Sequence, residues 1–346
     1  MRFFFLALFI VLLPTPRLRA GEMDRAEAFA REAAERIEEK PNVRGDNDAW
    51  FFLVRELRHL STGRFWEKPW EDVAVNRTDP IPSILEFRDM LEDRGKQLVM
   101  VPVPAKARIY PGKLSEEYTP DDPDPLAPFV EALKEEKVRV IDLDAVFRKK
   151  RKEGDETPCY CAQDAHYSPA AIEVVADLIL AELGVKPVSG SEITQDAAEQ
   201  LRIEGDQVAG SEWEGAVPAE EVSIRKVRSG GSVGVDPDPE SPFLLLGDSH
   251  TLVFHQGRET GMHCRGGGLA DQLSLRLGAA IDLVGVRGSG LVQARKQLFY
   301  RATAEAGFWE RKQFVIWVFS EREFTQSFDR MVSIPLDREA TNPARK

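Results

Sequence analysis

The sequence predicts an α/β domain of three layers with a mostly parallel sheet. Along most of the chain, short apolar segments of strand length alternate with longer segments of helical pattern. Uninterrupted apolar strands are typical of parallel sheets that helices cover on both faces. With 346 residues, 42% hydrophobic and 30% charged, the chain has the balance of a globular protein and room for one large domain or two ordinary ones.

The predicted elements follow this rhythm in order. A Ser-x-x-Glu capping box at Ser83 and Glu86 predicts the start of an early helix, and Ser168 before Pro169 predicts the start of a later one. Helices are predicted at 23–40, 84–95, 125–137, 168–183, 269–277 and 291–306, with a helix start at 249–255. Strands are predicted at 98–103, 138–141, 243–246, 281–286 and 314–319.

Composition divides the chain into unequal parts. We predict a signal peptide at 1–20, an N-terminal helical segment at 21–46, the main domain at 47–330 and a C-terminal tail at 331–346. Within the main domain, about 186–241 is rich in Gly, Ser, Asp, Glu and Pro, which indicates a polar insertion or flap and not a second core. Such a flap is a candidate lid over an active site.

The N-terminus has the pattern of an export signal. Arg2 precedes an apolar run at 3–13, and Leu18-Arg19-Ala20 offers small or aliphatic residues before Gly21. That run is too short to span a bilayer core of about 30 Å. The sequence therefore predicts a cleaved signal peptide and a periplasmic or exported protein; an uncleaved membrane anchor is the alternative.

Charge makes nucleic acid an improbable partner. Lys and Arg number 46 against 58 Asp and Glu, a net charge of −12, whereas nucleic-acid binding needs a basic face. The one dense basic cluster, 148–152, is followed at once by Glu153 and Asp155. It is interpreted as a solvated helix end or loop.

The three cysteines, Cys159, Cys161 and Cys264, would lie in an oxidising compartment after export. A Cys-x-Cys bridge is strained, so a bridge from Cys264 to either of the other two is more natural. A zinc site that also uses His263 is disfavoured because the spacings lack the regularity of structural zinc sites. No metal and no cofactor is predicted.

The strongest local signal for chemistry is Gly247-Asp248-Ser249-His250, directly after the predicted strand at 243–246. This order places a serine hydroxyl at the carboxyl edge of a parallel sheet, where open α/β sheets build their sites. Backbone N–H groups at such a turn suit the oxyanion formed by attack on an acyl carbon.

A serine nucleophile needs a base and a group that orients the base. Asp164-Ala165-His166 precedes the predicted helix at 168–183, and the two side chains flank one residue. Asp164 is therefore predicted to accept the Nδ1 proton of His166 while Nε2 faces Ser249. The other histidines show no carboxylate at a fixed offset that suggests an orienting role.

These two blocks resemble those of the alginate O-acetyltransferases of the AlgJ/AlgX type, which carry a circularly permuted SGNH hydrolase-like domain. The resemblance extends over about residues 47–330 and includes 50–53, Val101-Pro102-Val103-Pro104-Ala105-Lys106, 268–273 and 316–324. It implies an SGNH-like (flavodoxin-like) three-layer fold in which the Asp-x-His block precedes the nucleophile block. The short C-terminal remainder makes the chain more similar to the single-domain AlgJ type.

The resemblance implies an exported polysaccharide O-acetyltransferase that acts through an acetyl-serine intermediate. Ser249 would be the nucleophile, His166 the base and Asp164 its orienting partner. A polysaccharide would be the acceptor, and a membrane-bound O-acyltransferase would be the partner that supplies acetyl groups. Two alternatives are a carbohydrate acetyl esterase with the same triad and a non-catalytic carbohydrate-binding subunit of an export complex.

Candidates for the oxyanion hole and for the substrate contacts are less defined. Gly288-Ser289-Gly290 resembles the glycine turn that supplies an oxyanion donor in SGNH enzymes, beside the backbone of Ser249. The Gly-x-Asn-Asp block of ordinary SGNH esterases is absent, so Arg287 is a substitute donor. Candidate substrate contacts are Lys106 and Tyr167, with Trp66 or Trp70 in a sugar groove. Because the chain is acidic, an acidic polymer is a poor electrostatic match, and the polymer stays open.

Overall fold

A computed structural model describes residues 20–46, 49–119 and 126–338. The strands are Asn42–Arg44 (β1), Phe51–Leu53 (β2), Gln97–Val103 (β3), Thr194–Gln195 (β4), Glu199–Ile203 (β5), Glu220–Ile224 (β6), Val227–Ser229 (β7), Ser232–Val233 (β8), Phe243–Gly247 (β9), Asp282–Gly285 (β10) and Phe314–Ser320 (β11).

The α-helices are Ala20–Glu35 (α1), Val54–Leu60 (α2), Trp70–Val73 (α3), Ile81–Glu92 (α4), Lys106–Ile109 (α5), Pro111–Leu114 (α6), Ala127–Glu135 (α7), Leu143–Lys152 (α8), Pro169–Leu183 (α9), Leu269–Leu277 (α10), Gln293–Ala304 (α11), Phe308–Arg311 (α12) and Glu323–Gln326 (α13). Short 3₁₀ helices lie at Phe65–Glu67, Ser249–Thr251 and Arg258–Thr260. No helix among the described residues is long and apolar enough to span a bilayer.

The central sheet is parallel, with strand order β10-β9-β11-β3. Side chains of β11 alternate between two hydrophobic cores: Ile316 and Val318 face the core that includes α9 and α10, whereas Val315 and Trp317 face the core that includes α4, α7 and α11. Helices therefore cover both faces, and the predicted three-layer α/β fold with a mostly parallel sheet is confirmed.

Several predicted strands and one predicted helix start are confirmed. The predicted strands at 98–103, 243–246, 281–286 and 314–319 become β3, β9, β10 and β11. Ser168 caps α9, because its Oγ accepts a hydrogen bond from the N–H of Ala171 at 3.1 Å. The basic cluster at 148–152 forms the end of α8, as interpreted, although Arg148 is buried.

Three local predictions are wrong. The capping box at Ser83 is absent, because α4 begins at Ile81, where the carboxylate of Asp79 accepts the N–H of Ile81 at 2.8 Å. The strand predicted at 138–141 is reduced to one bridge between Val140 and Met100. The helix predicted at 249–255 is one 3₁₀ turn.

The polar insertion is part of the packed domain. Within the span 186–241, β5 and β6 form an antiparallel hairpin, and β4, β7 and β8 form a second small sheet. Ile203, Val222 and Ile224 are buried in the same core as α9. The tip of this hairpin reaches the loop that carries Asp164.

The predicted signal peptide and the predicted C-terminal tail lie at the two ends of the chain. The predicted signal peptide lies outside the described residues except for Ala20, which begins α1. From the predicted C-terminal tail, Ile334 and Leu336 pack into the core that includes α11, and Asp337 forms an ion pair with Arg94. This part of the predicted tail packs as part of the domain, and residues 339–346 lie outside the described residues.

All three cysteines are free thiols, so the expected bridge to Cys264 is absent. Cys159 and Cys161 are buried in the apolar core on the α9 side of the sheet. Burial raises the pKa of Cys159 to about 11 and that of Cys264 to about 12. These thiols are therefore uncharged at neutral pH.

Lys106 is fully buried, and the predicted substrate contact at this residue is wrong. Its Nζ donates to the backbone oxygens of Cys161 at 3.0 Å, Ala162 at 3.0 Å and Asp164 at 2.8 Å, and to Oε1 of Gln207 at 2.7 Å. Burial lowers the pKa of Lys106 to about 8, against the opposing effect of nearby carboxylates. The ammonium group anchors the Asp164 loop and the tip of the insertion to α5.

We expect Lys106→Met to destabilise the protein by about 3–5 kcal/mol, because several buried acceptors lose their donor and the buried carboxylates lose their cation. Lys134→Met, which removes an exposed lysine from α7, should change the free energy of unfolding by less than about 0.5 kcal/mol. Urea unfolding of both variants measures the difference. Equal stability of the two variants would contradict the anchoring role.

Candidate active site

Ser249 lies at the carboxyl end of β9, as the first residue of the 3₁₀ helix that follows Gly247 and Asp248. A Cβ on Gly247 would lie 1.9 Å from the carbonyl oxygen of Val318, so glycine permits the close approach of β9 and β11. Asp248 ties the turn down: its Oδ1 accepts the N–H of His250 at 2.9 Å, and its Oδ2 accepts the N–H of Ser320 at 2.8 Å. The serine is thereby fixed relative to two strands.

The three predicted triad side chains are brought together. His166 Nε2 lies 2.8 Å from Ser249 Oγ, and His166 Nδ1 lies 2.5 Å from Asp164 Oδ1. The same carboxylate oxygen accepts the backbone N–H of His166 at 3.0 Å, which fixes the one-residue spacing of the pair. Ser249 is 8% exposed and His166 is 6% exposed. The arrangement has the connectivity of a nucleophile, a base and a group that orients the base.

The second oxygen of Asp164 is also fully used. Oδ2 accepts from His263 Nε2 at 2.9 Å and from the backbone N–H of Asp206 at 2.9 Å. Burial acts to raise the pKa of Asp164, but His166 and His263 outweigh burial and hold that pKa well below its usual value. The carboxylate therefore stays ionised inside the protein.

The same charges act on His166. Burial acts to lower the pKa of His166, but the carboxylates of Asp164, Asp206 and Asp248 outweigh burial and raise it to about 9. Neighbouring His250 is different, because burial lowers its pKa despite its own contact with Asp248, 2.9 Å from Nδ1. The two neighbouring imidazoles therefore differ, because the pKa of His166 is shifted towards the protonated form and that of His250 towards the neutral form.

The predicted oxyanion residues lie at different distances from the nucleophile turn. Gly290 packs against that turn: a Cβ there would lie 3.3 Å from the backbone N of Asp248. Gly288 has a φ of 76°, which favours glycine. Arg287 is exposed, and its guanidinium donates to the backbone oxygen of Thr260.

Two backbone N–H groups at the nucleophile turn are candidates for oxyanion donors. Within residues 20–46, 49–119 and 126–338, the N–H groups of Ser249 and Gly290 have no hydrogen-bond acceptor. An N–H in this state can donate to an oxygen of a bound acyl group without breaking an existing bond.

Of the other predicted substrate contacts, the one at Tyr167 is wrong, whereas those at Trp66 and Trp70 stay predictions. Tyr167 is fully buried, and its hydroxyl donates to the backbone oxygen of His250. Trp66 and Trp70 pack with Phe65 against the core that includes α7. Both indoles are partly buried and belong to an aromatic cluster that packs on the core.

Three residues of the site, His250, His263 and Asp206, were not predicted from the sequence. The expectation that no other histidine has a carboxylate at a fixed offset is wrong for His250, because Asp248 lies two residues before it, the same offset as in Asp164 and His166. His263 and Asp206 contact Asp164 from positions far along the chain, and no local pattern points to them. His263 also has a left-handed φ of 62°, an uncommon conformation for a residue other than glycine.

Asp206 reaches the site because the backbone of the insertion approaches the Asp164 loop closely. A Cβ on Gly205 would lie 2.0 Å from the carbonyl oxygen of Gln163, so the insertion can touch the Asp164 loop only with glycine there. Asp206 Oδ1 then accepts the N–H of Ala165 at 2.8 Å, and Oδ2 lies 3.8 Å from His166 Nδ1. The insertion therefore contributes directly to the environment of the histidine.

Asp164, His166 and Asp206 also form a group whose ligand atoms lie within 4.8 Å of one another. Both ring nitrogens of His166 are already engaged, one by Asp164 and the other by Ser249. The donor set is therefore committed to the hydrogen-bonded chain, and we assign no metal to it.

Comparison with known proteins gives consistent matches. The model of the family described as "SGNH hydrolase-like domain, acetyltransferase AlgX" matches residues 43–321. The probable alginate O-acetylase AlgJ of Pseudomonas aeruginosa is 27% identical over 146 residues, and that of Pseudomonas syringae pv. tomato is 25% identical over 173 residues. These matches cover 42% and 49% of this chain, but only 34% and 41% of the relatives.

Solved structures share the fold. The O-acetyltransferase domain of Pseudomonas putida AlgJ superposes with a TM-score of 0.58 at 20% identity, over 87% of this chain and 95% of that one. Pseudomonas aeruginosa AlgX gives a TM-score of 0.56 at 16% identity, over 88% of this chain and 67% of that one. Since the family model spans most of the sequence, the chain belongs to the SGNH hydrolase-like family of acetyltransferase AlgX.

Proposed function

We propose that the protein is an exported polysaccharide O-acetyltransferase with Ser249 as the nucleophile. The observation that carries the proposal is the continuous hydrogen-bonded chain from Ser249 Oγ through His166 to Asp164, with contacts of 2.8 and 2.5 Å. The family and the printed names of the relatives, alginate O-acetylases, support acetyl transfer as the reaction.

In the first half-reaction, His166 in its neutral form takes the proton of Ser249 at Nε2. Oγ attacks the acetyl carbonyl carbon, and the N–H groups of Ser249 and Gly290 donate to the oxyanion that forms. His166 then gives the proton to the departing oxygen of the donor. The acetyl group is left on Oγ as an ester, and Asp164 keeps the imidazole oriented and stabilises its charged form.

In the second half-reaction the same groups act in reverse. A sugar hydroxyl gives its proton to His166 Nε2 and attacks the acetyl carbon, which releases Oγ of Ser249. His166 returns the proton to Oγ, and the product is an O-acetylated sugar. If water takes the place of the sugar hydroxyl, the same site is an acetyl esterase.

Export and the donor belong to the same proposal. The apolar run at 3–13, which lies outside the described residues, supports export through a signal peptide. Acetyl-coenzyme A is cytoplasmic, so an exported enzyme of this kind needs a membrane-bound O-acyltransferase as its acetyl donor.

We expect Ser249→Ala and His166→Ala each to lower the rate of acetyl release from a chromogenic acetyl ester by at least about a thousandfold. The double variant should be no slower than either single one, because the two residues act as a unit. Ser61→Ala, which changes a serine at the end of α2, is the matched control and should keep the wild-type rate.

Intact mass resolves transferase from esterase. The wild-type protein should carry one acetyl group on Ser249 after incubation with the ester, and an added oligosaccharide should remove it faster than water does. Rapid turnover to free acetate without sugar acetylation would establish the esterase. If no adduct forms and hydrolysis does not depend on Ser249, the non-catalytic subunit is favoured.

The pKa of His166 sets the pH dependence. Only the unprotonated imidazole accepts the proton of Ser249, and its pKa is raised to about 9, so acylation should rise about tenfold per pH unit below that value and level off above it. Asp206→Asn removes one of the charges that raise this pKa, and the midpoint should move to lower pH. Pre-steady-state release of the chromogenic group, corrected for spontaneous hydrolysis, measures the profile; a rate that is flat from about pH 6 to 9 would contradict it.

A further inference from the structure

A cavity of about 490 Å³ opens between the N-terminal segment and the tip of the insertion, with Asp206 among its lining residues. Asn42 and Leu53 line one side, and Asp206, Glu212 and Trp213 line the other. The link to the triad is Asp206, whose Oδ2 lies 3.8 Å from His166 Nδ1. The volume falls in the range of small-molecule sites in proteins.

Trp213 presents a supported aromatic surface to this cavity. Its ring centroid lies 4.9 Å from that of Phe51, which is fully buried. Its backbone oxygen accepts from the N–H groups of Ala216 and Val217 at 3.0 and 3.2 Å, so the turn around it is closed. A half-buried indole on a rigid base is a flat apolar surface with a size that suits the C–H face of a pyranose ring.

The polar groups of the cavity leave an excess of negative charge. Lys40 is the single cation among the described lining residues, and its Nζ forms an ion pair with Glu212 at 2.6 Å. No cation among the described lining residues pairs with the carboxylate of Asp206; its neighbour is the imidazole of His166, 3.8 Å away outside the lining, and its side chain is 45% exposed. It can accept hydrogen bonds from sugar hydroxyls, whereas a uronate carboxylate at the same place would be repelled.

From these contacts we propose that the cavity is an acceptor subsite for an uncharged sugar residue, stacked on Trp213 and hydrogen-bonded to Asp206. The proposal rests on the proposed acetyltransferase function and specifies its substrate class. The acceptor would be a neutral polysaccharide and not a polyuronate, although the relatives are named for alginate. The subsite would hold the polymer next to His166 while a hydroxyl of the same chain reaches the acetyl group on Ser249.

The chemical test loads Ser249 with acetyl from a chromogenic ester and then adds oligosaccharides of equal length. One set is a neutral β-linked glucan and the other an oligomannuronate, and mass spectrometry measures the acetylated product. The wild-type protein should prefer the neutral set by at least about tenfold, equivalent to about 1.4 kcal/mol. Equal or faster transfer to the oligomannuronate would overturn the proposal.

Variants assign the preference to the cavity. Trp213→Ala should lower transfer to the neutral set at least about tenfold while acetylation of Ser249 keeps its rate, and Trp213→Phe should retain most of the transfer. Tyr300→Ala is the matched control, because Tyr300 is an aromatic residue of α11 that is 63% exposed and lines a different cavity. An unchanged transfer rate in Trp213→Ala, with wild-type stability in urea, would also overturn the proposal.

A binding measurement separates this proposal from the function on which it rests. Ser249→Ala cannot be acetylated at that residue, yet it should bind the neutral oligosaccharide in calorimetry, and the added Trp213→Ala change should abolish that binding. Absence of saccharide binding to Ser249→Ala would refute the subsite whatever the reaction is. Failure of the wild-type protein to form an acetyl adduct, with saccharide binding intact, would refute the acetyltransferase and leave the subsite as a carbohydrate-binding site.

Discussion

Asp164 keeps a negative charge although it is almost fully buried, and the rest of the site depends on how the chain achieves this. An isolated buried carboxylate costs several kcal/mol, and a protein normally neutralises it by protonation. Here four N–H groups donate to it: the backbone and Nδ1 of His166, Nε2 of His263 and the backbone of Asp206. These donors come from three separate parts of the chain, so the charge is stable only when all three are docked.

A second buried charge, the ammonium of Lys106, holds two of these parts together. The ammonium of Lys106 binds the carbonyl oxygens of the loop that contains Asp164 and the side chain of Gln207, one residue after Asp206. The parallel sheet supplies the other fixed point, because Gly247 and Asp248 tie the serine turn to β11. His166 thus lies between the Ser249 turn, which the sheet holds, and the Asp164 loop, which the ammonium of Lys106 holds.

The catalytic candidates were predictable because their signals are local. A strand that ends in Gly-Asp-Ser and an Asp-x-His pair before a capped helix each specify geometry within a few residues, and the parallel sheet brings the two blocks together. The burial of Lys106 and Tyr167, the partnership of His263 with Asp164 and the free state of the cysteines depend on contacts over long sequence separations. The strand predicted at 138–141 also depends on a distant partner. It pairs with β3 only at the bridge between Val140 and Met100, because strand formation is set by packing and pairing with neighbouring strands as well as by local composition.

The hairpin of β5 and β6 contains residues that position the triad and others that do not contact it. Its antiparallel ladder, from the pairing of Glu199 with Ile224 to that of Ile203 with Glu220, closes the base of the loop at 204–219, and Gly205 presses that base against the Asp164 loop. Asp206 and Gln207 are held by contacts with Asp164, His166 and Lys106. Residues 209–217 form no hydrogen bond with the Asp164 loop, so a change in their sequence or length need not move His166. If the cavity binds the acceptor as proposed, exchange of this segment would change the polymer that is recognised and leave Ser249, His166 and Asp164 in place.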